Sequence, residues 1–332
     1  MHRTGFLVRL FAAGLAVATL ASPSISRACT PERLPDGAHG TKLCWGDQTW
    51  FSKGKHPVVR EQIFDFYPSG RGPMAPLIVY FHPDGTTNHI SPGSGADIRL
   101  LQPALQAGYA FASVEFRHPV DDDEYLNAPD DPRVPHWDAA RATQFIRANA
   151  KALGIDMRRV FFVGHSRGSL SIWTALQPDM ADPDSPDPVA RESTRVLALV
   201  EYQGQTTYRD REFAKLFIVK RDRASLEETY ETDHPKWEQF GSAIDSVDAT
   251  SPPISLRYRD EYPGHAITLD KLQSKYSQDH YPGQGPKLCE AYERAQAAAG
   301  CVVYMNVPTD HAFDGYLDFF AAHGGLEPAA RR

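Results

Sequence analysis

A serine flanked by two glycines has the residue types and spacing of a reactive nucleophile. The segment Gly164-His165-Ser166-Arg167-Gly168 reads G-x-S-x-G. It follows an apolar run, Arg159 to Val163, that is rich in strand-forming residues, and it precedes Ser169 to Leu176, whose apolar residues suit a helix packed on a sheet. A sharp strand-to-helix turn that holds the serine in a strained backbone conformation supports nucleophilic attack. Ser166 is therefore the predicted nucleophile.

A serine hydroxyl is a weak nucleophile at neutral pH, so it needs a histidine that takes its proton. In a sheet whose chain order is serine, acid, histidine, the histidine follows the last strand. His311 has this position, since it lies in the polar turn after the apolar segment Val302 to Val307. His265 and His280 come earlier in the chain and fit this order less well. We therefore expect His311 to be the general base.

A carboxylate must fix the imidazole tautomer, and it should follow the strand before the last one. Asp260 and Glu261 stand at the end of the apolar segment Ile254 to Tyr258. The shorter side chain needs less ordering, which favours Asp260. Glu261 remains an alternative, as does Glu201 near the end of the preceding strand. We expect Asp260 to complete the triad.

The negative charge that develops on a substrate carbonyl oxygen needs two backbone N–H donors. One is expected at Arg167, the residue after the nucleophile. The other should follow the strand that ends at Phe81. Because Pro83 has no N–H, Asp84 is the expected donor, with Gly85 next. A carboxylate beside this charge would be unfavourable, so the Asp84 side chain should point away. The Arg167 side chain either compensates it with positive charge or forms an ion pair on the helix.

Apolar segments that alternate with helical patterns predict an α/β fold, with a mostly parallel central sheet and helices on both faces. Residues 61–67 alternate like an antiparallel edge strand, whereas residues 77–81 are continuously apolar, as in a strand buried on both faces. Asp138 suits the N-terminal end of a predicted helix. The other predicted strands are residues 110–116, 159–163, 196–202, 254–258 and 302–307, and the predicted helices include 138–151, 169–176 and 287–299.

The first 28 residues have the features of a secretory signal peptide. Basic residues precede an apolar core, Leu10 to Ala21, that is too short to span a membrane securely. Small residues at Ser26 and Ala28 favour cleavage before Cys29, and cleavage after Ala21 is the alternative. A retained membrane anchor remains the other interpretation of this segment. We expect a secreted or periplasmic protein with no stable membrane span after cleavage.

The rest of the chain has the length of an N-terminal extension and one α/β domain, which we place at residues 29–58 and 59–325. Residues 208–250 are unusually charged. They form either a lid beside the site or a solvated excursion. Removal of residues 1–28 takes away three arginines and no acidic residue, so the formal net charge falls from −7 to −10. This charge argues against nucleic acid or an anionic membrane as the main partner.

All four cysteines, Cys29, Cys44, Cys289 and Cys301, follow the predicted cleavage site. An even number in an oxidising compartment favours disulfides. We prefer a Cys29–Cys44 bridge, which would stabilise the N-terminal extension by about 3 kcal/mol. A helix over residues 287–299 would hold Cys289 and Cys301 more than about 7 Å apart, too far to bridge unless the helix starts later. No pair has C-x-x-C spacing, so we expect no zinc site.

The chain from about Glu61 to Phe320 resembles esterases of the α/β-hydrolase superfamily, in the carboxylesterase, hormone-sensitive-lipase and feruloyl-esterase-like branches. Leu77 to His82 is similar to the strand that leads into their H-G-G-G oxyanion motif. Gly108 to Arg117 resembles their "GY…V…DYR" strand, and Pro252-Pro253 resembles the start of their acid-bearing strand.

The resemblance implies a triad of Ser166, Asp260 and His311, with Asp84 and Arg167 as oxyanion donors. The sequence departs from the family pattern at His82 to Gly85, which reads H-P-D-G.

The expected function is hydrolysis of carboxylic esters by an exported serine hydrolase, through an acyl-enzyme and without a metal or organic cofactor. The substrate would be a small or polymer-linked ester. A serine peptidase, a polyester depolymerase and a noncatalytic binding protein on the same scaffold remain alternatives. The sequence does not predict an oligomeric state.

Overall fold

The computed structural model describes residues 32–34, 40–52, 58–117, 131, 133–229 and 235–326. The predicted signal peptide and Cys29, one member of the predicted Cys29–Cys44 bridge, lie outside these residues. Within the described ranges, no helix has both the length and the apolar character that crossing a bilayer requires.

One twisted sheet of nine described strands forms the centre of the fold. In chain order the strands are β1 Glu32–Arg33, β2 Thr41–Ser52, β3 Val58–Tyr67, β4 Ala75–Phe81, β5 Ala110–Val114, β6 Ile155–His165, β7 Ala198–Tyr202, β8 Ile254–Arg257 and β9 Cys301–Tyr304. Their order in space is β1-β2-β3-β5-β4-β6-β7-β8-β9. Strands β1, β2 and β3 run antiparallel to their neighbours, and all pairs from β5 to β9 are parallel. The predicted mostly parallel sheet is confirmed.

Helices cover both faces of this sheet. They are α1 Gln102–Ala107, α2 Val134–Ala148, α3 Ala150–Leu153, α4 Leu170–Leu176, α5 Asp210–Phe217, α6 Arg223–Thr229, α7 Pro235–Phe240, α8 Leu269–Lys275, α9 Gln284–Arg294 and α10 Tyr316–Ala322. Alternate residues of each strand point to opposite faces. Thus Leu77 and Val79 of β4 pack in the same core as α2, α4 and α9, whereas Ile78 and Tyr80 pack with α1 and α10. Burial of both strand faces explains the continuous apolar runs in the sequence.

Two local expectations are corrected by the fold. Strand β3 is antiparallel, as expected, but it is not at the edge, because β2 pairs with its outer side over most of its length. Helix α2 starts at Val134, four residues before Asp138. The Asp138 carboxylate instead accepts hydrogen bonds from the backbone and guanidinium of Arg117, at 2.7 to 2.9 Å.

The geometric objection to a Cys289–Cys301 disulfide was also wrong. The two residues are bridged, and their Cα atoms are 5.2 Å apart. Helix α9 ends at Arg294, five residues earlier than expected. The chain then reverses through Gln296 and Gly300, which both have positive φ, and returns to begin β9 at Cys301.

We predict that the double variant Cys289→Ser/Cys301→Ser has a free energy of unfolding about 3 kcal/mol lower than the parent, because the bridge closes a loop that is free in the unfolded chain. Urea denaturation measures the difference. The exposed Ser274→Ala substitution in α8 is the control and should change stability by less than about 0.5 kcal/mol. Equal stability of parent and double variant would contradict the prediction.

Candidate active site

Ser166 lies at the sharp turn between β6 and α4. It follows His165, the last residue of β6, and it begins a short 3-10 turn, Ser166–Ser169, that leads into the helix. Its φ is +54°, a conformation that is strained for a residue with a side chain. The strained strand-to-helix turn expected from the sequence is present at the carboxyl end of β6.

The two glycines of the motif are required by close packing around this turn. A Cβ atom at Gly168 would overlap with the carbonyl oxygen of Phe81, the last residue of β4. A Cβ atom at Gly164 would overlap with the backbone carbonyl oxygen of Gly168 and with the carboxyl group of Glu201 on β7. Since no side chain fits at either position, only glycine lets α4 start this close to the ends of the neighbouring strands.

The histidine that reaches Ser166 is His280, and not His311. The Nε2 atom of His280 lies 2.7 Å from the hydroxyl oxygen of Ser166, so the hydroxyl can donate its proton to the unprotonated ring nitrogen. His280 stands in the connection from β8 to β9, in the turn between α8 and α9. A nucleophile and a base in hydrogen-bond contact are the geometric requirement for nucleophilic catalysis.

The side chain of Gln284 holds the His280 turn in place. It is fully buried. Its Nε2 atom donates to the carbonyl oxygens of Gln278 and Asp279, at 3.0 and 2.9 Å. Its Oε1 atom accepts from the backbone N–H groups of Thr206 and Thr207, at 2.6 and 3.2 Å. Gln284 thus ties the turn that carries the histidine to the loop that follows β7.

An aromatic cluster supports the same turn from below. Tyr281 is fully buried, and its ring lies 5.6 Å from that of Phe213 and 5.0 Å from that of Phe217, both in α5. Tyr276 and Tyr262 complete the cluster around Tyr281. Helix α5 belongs to the charged segment 208–250, so this segment supports the turn that carries His280. A function of residues 208–250 as a lid stays a prediction.

The surroundings of His280 keep its imidazole neutral. Desolvation lowers the pKa of His280 below its ordinary value, and the positive charge of Arg259 acts in the same direction. The negative charges of Asp279 and Asp260 oppose this shift without reversing it. At pH 7 the ring is therefore unprotonated, as a general base must be.

His311 follows β9, as the sequence predicts, but the structure does not bring it to Ser166. Its Nδ1 atom donates to the Asp314 carboxylate at 2.8 Å, and 56% of its side chain is exposed. The hydrogen bond to Asp314 and the charge of Asp310 raise its pKa. The ring is thus held at the surface by a neighbouring acid.

Of the three candidate acids, Asp260 alone is among the charges that act on His280. Its carboxylate pairs with Arg259 at 3.2 Å. Glu201 lies beneath the turn, where its Oε1 atom is hydrogen-bonded to Ser171. Burial raises its pKa well above the ordinary value, which disfavours the charged form of this carboxyl group. Glu261 contributes its backbone carbonyl to Tyr276 and acts on neither histidine.

The loop after β4 lies beside Ser166 and is fixed to the two residues that follow Val114, the end of β5. The ring of His82 is buried, its Nε2 atom is 3.1 Å from the carboxylate of Glu115, and its face packs on Phe116 at 4.8 Å. Its Nδ1 atom is 3.0 Å from the carbonyl oxygen of Pro83, which also accepts a hydrogen bond from Thr86. The first half of this loop is therefore anchored in the protein interior.

Asp84 turns its carboxylate toward the guanidinium of Arg167. That this carboxylate points away from the oxyanion stays a prediction. Its Oδ1 atom lies 3.0 Å from Nη2 of Arg167 and also accepts the backbone N–H of Gly85, at 2.6 Å. The expected compensation by Arg167 is thus a direct ion pair. The Gly85 N–H is directed at Asp84, which leaves the backbone N–H groups of Asp84 and Arg167 as the oxyanion donors to consider.

A cavity of about 360 Å³ adjoins the turn on the side of His165. Its surface is mainly apolar, and it is lined by Tyr80, His82, His89, Ile90, His165 and Phe313, together with parts of residues 83–99, Thr309 and Ala312. Burial lowers the pKa of His165 to about 4, so its ring is neutral. The residues described contain no group of three or more side chains suited to hold a metal ion.

The BD-FAE family model matches residues 64–261, which is more than half of the chain. This range contains Ser166, the loop after β4 and Asp260, and it ends before His280 and His311. No curated protein matches the sequence.

Solved structures of esterases are similar to the chain in fold. A truncated carbohydrate esterase from gut microbiota is 18% identical, over 83% of this chain and 96% of that chain, with a TM-score of 0.52. An acetyl ester-xyloside bifunctional hydrolase from Caldicellulosiruptor lactoaceticus is 17% identical, over 80% and 89%, with a TM-score of 0.54. Esterase 2 of Thermogutta terrifontis, phosphonylated by sarin, is 17% identical, over 80% and 92%, with a TM-score of 0.52.

The opposite pKa shifts of the two histidines give a test that does not depend on activity. We predict that His280 titrates below its ordinary pKa of about 6.5, because desolvation disfavours its charged form, and that His311 titrates above it, because Asp314 stabilises the charged form. NMR of the imidazole Cε1–H groups over pH measures both values. The single variants His280→Gln and His311→Gln assign the two signals. The reverse order of the two pKa values would contradict the electrostatics described here.

Proposed function

This chain belongs to the BD-FAE family of α/β-hydrolase-fold esterases and is a carboxylic ester hydrolase, and we propose that it acts through an acyl-enzyme formed on Ser166. The observation that carries the proposal is the 2.7 Å contact between the Ser166 hydroxyl and Nε2 of His280, at a strained strand-to-helix turn. This contact supports a catalytic function over a noncatalytic binding function on the same scaffold.

In the first half of the proposed reaction, Ser166 Oγ attacks the ester carbonyl carbon while His280 Nε2 takes the hydroxyl proton. The carbonyl oxygen becomes an oxyanion, which the backbone N–H groups of Arg167 and Asp84 stabilise. The oxyanion then collapses, the bond to the alcohol oxygen breaks, and protonated His280 gives its proton to that oxygen. The alcohol leaves, and the acyl group remains on Ser166.

In the second half, water takes the place of the alcohol. His280 removes a proton from the water as its oxygen attacks the acyl carbon, and the resulting oxyanion collapses with loss of the serine oxygen. His280 returns the proton to Ser166, and the carboxylic acid leaves. None of these steps requires a metal ion or an organic cofactor.

We assign to Asp260 the stabilisation of the His280 imidazolium that forms in both halves. Its negative charge raises the pKa of His280, which is the direction that favours the protonated intermediate. Asp279 precedes His280 directly in the chain and raises the same pKa more strongly, so it is the alternative. Burial disfavours the charged form of the Glu201 carboxyl group, and its Oε1 atom is bonded to Ser171, which argues against it.

The cavity of about 360 Å³ beside His165 is the proposed site for one part of the ester. Its mainly apolar lining suits the acyl chain or an aromatic acyl group.

Export to an oxidising compartment is also part of the proposal. It is supported by the Cys289–Cys301 disulfide, since such bridges persist outside the cytoplasm.

We predict that Ser166→Ala leaves a folded protein whose hydrolysis of p-nitrophenyl esters is slower by several orders of magnitude, because the covalent route is lost. A fluorophosphonate probe should label the parent once per chain and leave this variant unlabelled. A panel of esters of increasing acyl length, with feruloyl esters, acetylated xylo-oligosaccharides and a peptide amide, defines the substrate class. Activity within tenfold of the parent would refute the assignment of Ser166.

The base is tested by comparing His280→Gln with His311→Gln. Glutamine cannot take up a proton, so His280→Gln should lower kcat by at least about 1,000-fold, whereas His311→Gln should stay within about threefold of the parent. The acid limb of the parent's kcat/KM profile should fall below pH 6.5, because the pKa of His280 is lowered. A large loss in His311→Gln, with near-parental activity in His280→Gln, would make His311 the base.

The acid is tested with Asp260→Asn, Asp279→Asn and Glu261→Gln measured side by side. We expect the largest fall in kcat for Asp260→Asn, of about 100-fold or more, because the amide no longer stabilises the imidazolium. Glu261→Gln should change kcat by less than about threefold, since this side chain does not act on His280. A larger loss in Asp279→Asn than in Asp260→Asn would transfer the assignment to Asp279.

A further inference from the structure

The guanidinium of Arg167 joins the turn that carries the nucleophile to the loop that follows β4. Arg167 immediately follows Ser166 in the 3-10 turn and is only 5% exposed. Its partner Asp84 is 48% exposed and lies at the tip of the loop. A cation buried at this depth is stable only when an opposite charge or several acceptors face it.

The two halves of this loop are held in different ways. The first half is anchored by the buried ring of His82, which lies against Glu115 and Phe116. The tip, Asp84 and Gly85, has no such anchor in the core and is exposed to solvent. The ion pair with Arg167 is the contact that the structure describes between the tip and the turn at Ser166.

We propose that the Arg167–Asp84 ion pair is a positioning device that sets the distance between the two oxyanion donors of the site. This inference rests on the proposed function, because it concerns the oxyanion of the same reaction. Both donors belong to the paired residues: the backbone N–H groups of Arg167 and Asp84 flank the carbonyl oxygen, while their side chains lock the two segments together. Arg167 and Asp84 thus act through their side chains on the geometry of their own backbones.

The hydrogen bonds of the Asp84 carboxylate support this arrangement. Its Oδ1 atom accepts both the Arg167 guanidinium and the backbone N–H of Gly85. The second bond fixes the Asp84–Gly85 peptide. Because the Gly85 N–H is already bonded to the Asp84 carboxylate, it is not directed at the oxyanion. Pro83 has no N–H to offer. The pair therefore selects one donor from three consecutive residues, and it also neutralises the carboxylate that would otherwise repel the oxyanion.

The pair is tested with Asp84→Asn, which keeps an acceptor for the Gly85 N–H but removes the charge that holds Arg167. We expect kcat to fall about 10- to 100-fold with KM within about threefold of the parent. The reason is that a displaced donor loses part of the effect of an oxyanion-hole hydrogen bond, which is about 100- to 1,000-fold in kcat. The rate of fluorophosphonate labelling should fall by a similar factor, and Asp84→Glu, which restores the charge, should lie between Asp84→Asn and the parent.

Rates are normalised to the number of chains that the fluorophosphonate finally labels, so that loss of folded enzyme does not count as loss of kcat. The matched control is Asp245→Asn. Asp245 is 53% exposed and pairs with Arg209, which is 17% exposed, and neither residue lines the cavity beside His165. We expect its kcat to equal that of the parent.

Three results would overturn the inference: a kcat of Asp84→Asn within threefold of the parent, a rise in KM alone, or an Asp84→Glu variant no faster than Asp84→Asn. Each of these results is measured against a parent enzyme that hydrolyses esters and is labelled by the fluorophosphonate. A parent that neither hydrolyses esters nor reacts with the probe refutes the proposed function instead, so the two failures are distinguishable.

Discussion

The contact between the first turn of α4 and the end of β4 determines where every other part of the site can lie. Gly168 lies so close to the carbonyl oxygen of Phe81 that no side chain fits between them. Ser166, two residues before Gly168, has a positive φ. The strain is offset locally, because Ser169 donates to the carbonyl of Ser166 and accepts from the backbone N–H of Gln205, at 2.7 Å. Ser166 is therefore held rigidly, and the other residues of the site must be positioned around it.

The residues that act with Ser166 lie in the connections that follow the strands, and these connections are held together by hydrogen bonds and side-chain packing. The histidine turn between α8 and α9 is bound through the amide of Gln284 to the loop after β7, and it rests on Tyr281 and α5. The loop after β4 is held by His82 on one side and by Arg167 on the other. All of these connections leave the carboxyl ends of parallel strands, the edge at which sites of open α/β sheets are assembled. A side chain far from Ser166 in sequence can thus decide the geometry at its hydroxyl.

The sequence predicts those features that depend on local pattern. The parallel strands, the strained turn at Ser166 and the loop after β4 all follow from apolar runs and from two glycines. The position of the histidine does not follow from local pattern. A rule based on strand order selects His311. The position of His280 depends instead on how the β8–β9 connection folds back, and Gln284 and Tyr281 hold that fold. The Cys289–Cys301 bridge was missed for a related reason. The alanine-rich residues 295–299 favour helix locally, but the chain leaves the helix at Arg294 so that β9 can join the sheet.

The charges around Ser166 favour the negative oxyanion and the positive imidazolium that form in the proposed reaction. Two carboxyl groups lie close to the turn, and an ionised form of either would oppose the oxyanion. Burial raises the pKa of Glu201 well above its ordinary value, which disfavours the charged form of this carboxyl group. Asp84 is neutralised by pairing with Arg167. The negative charges left to act are those that raise the pKa of His280, where a positive charge forms.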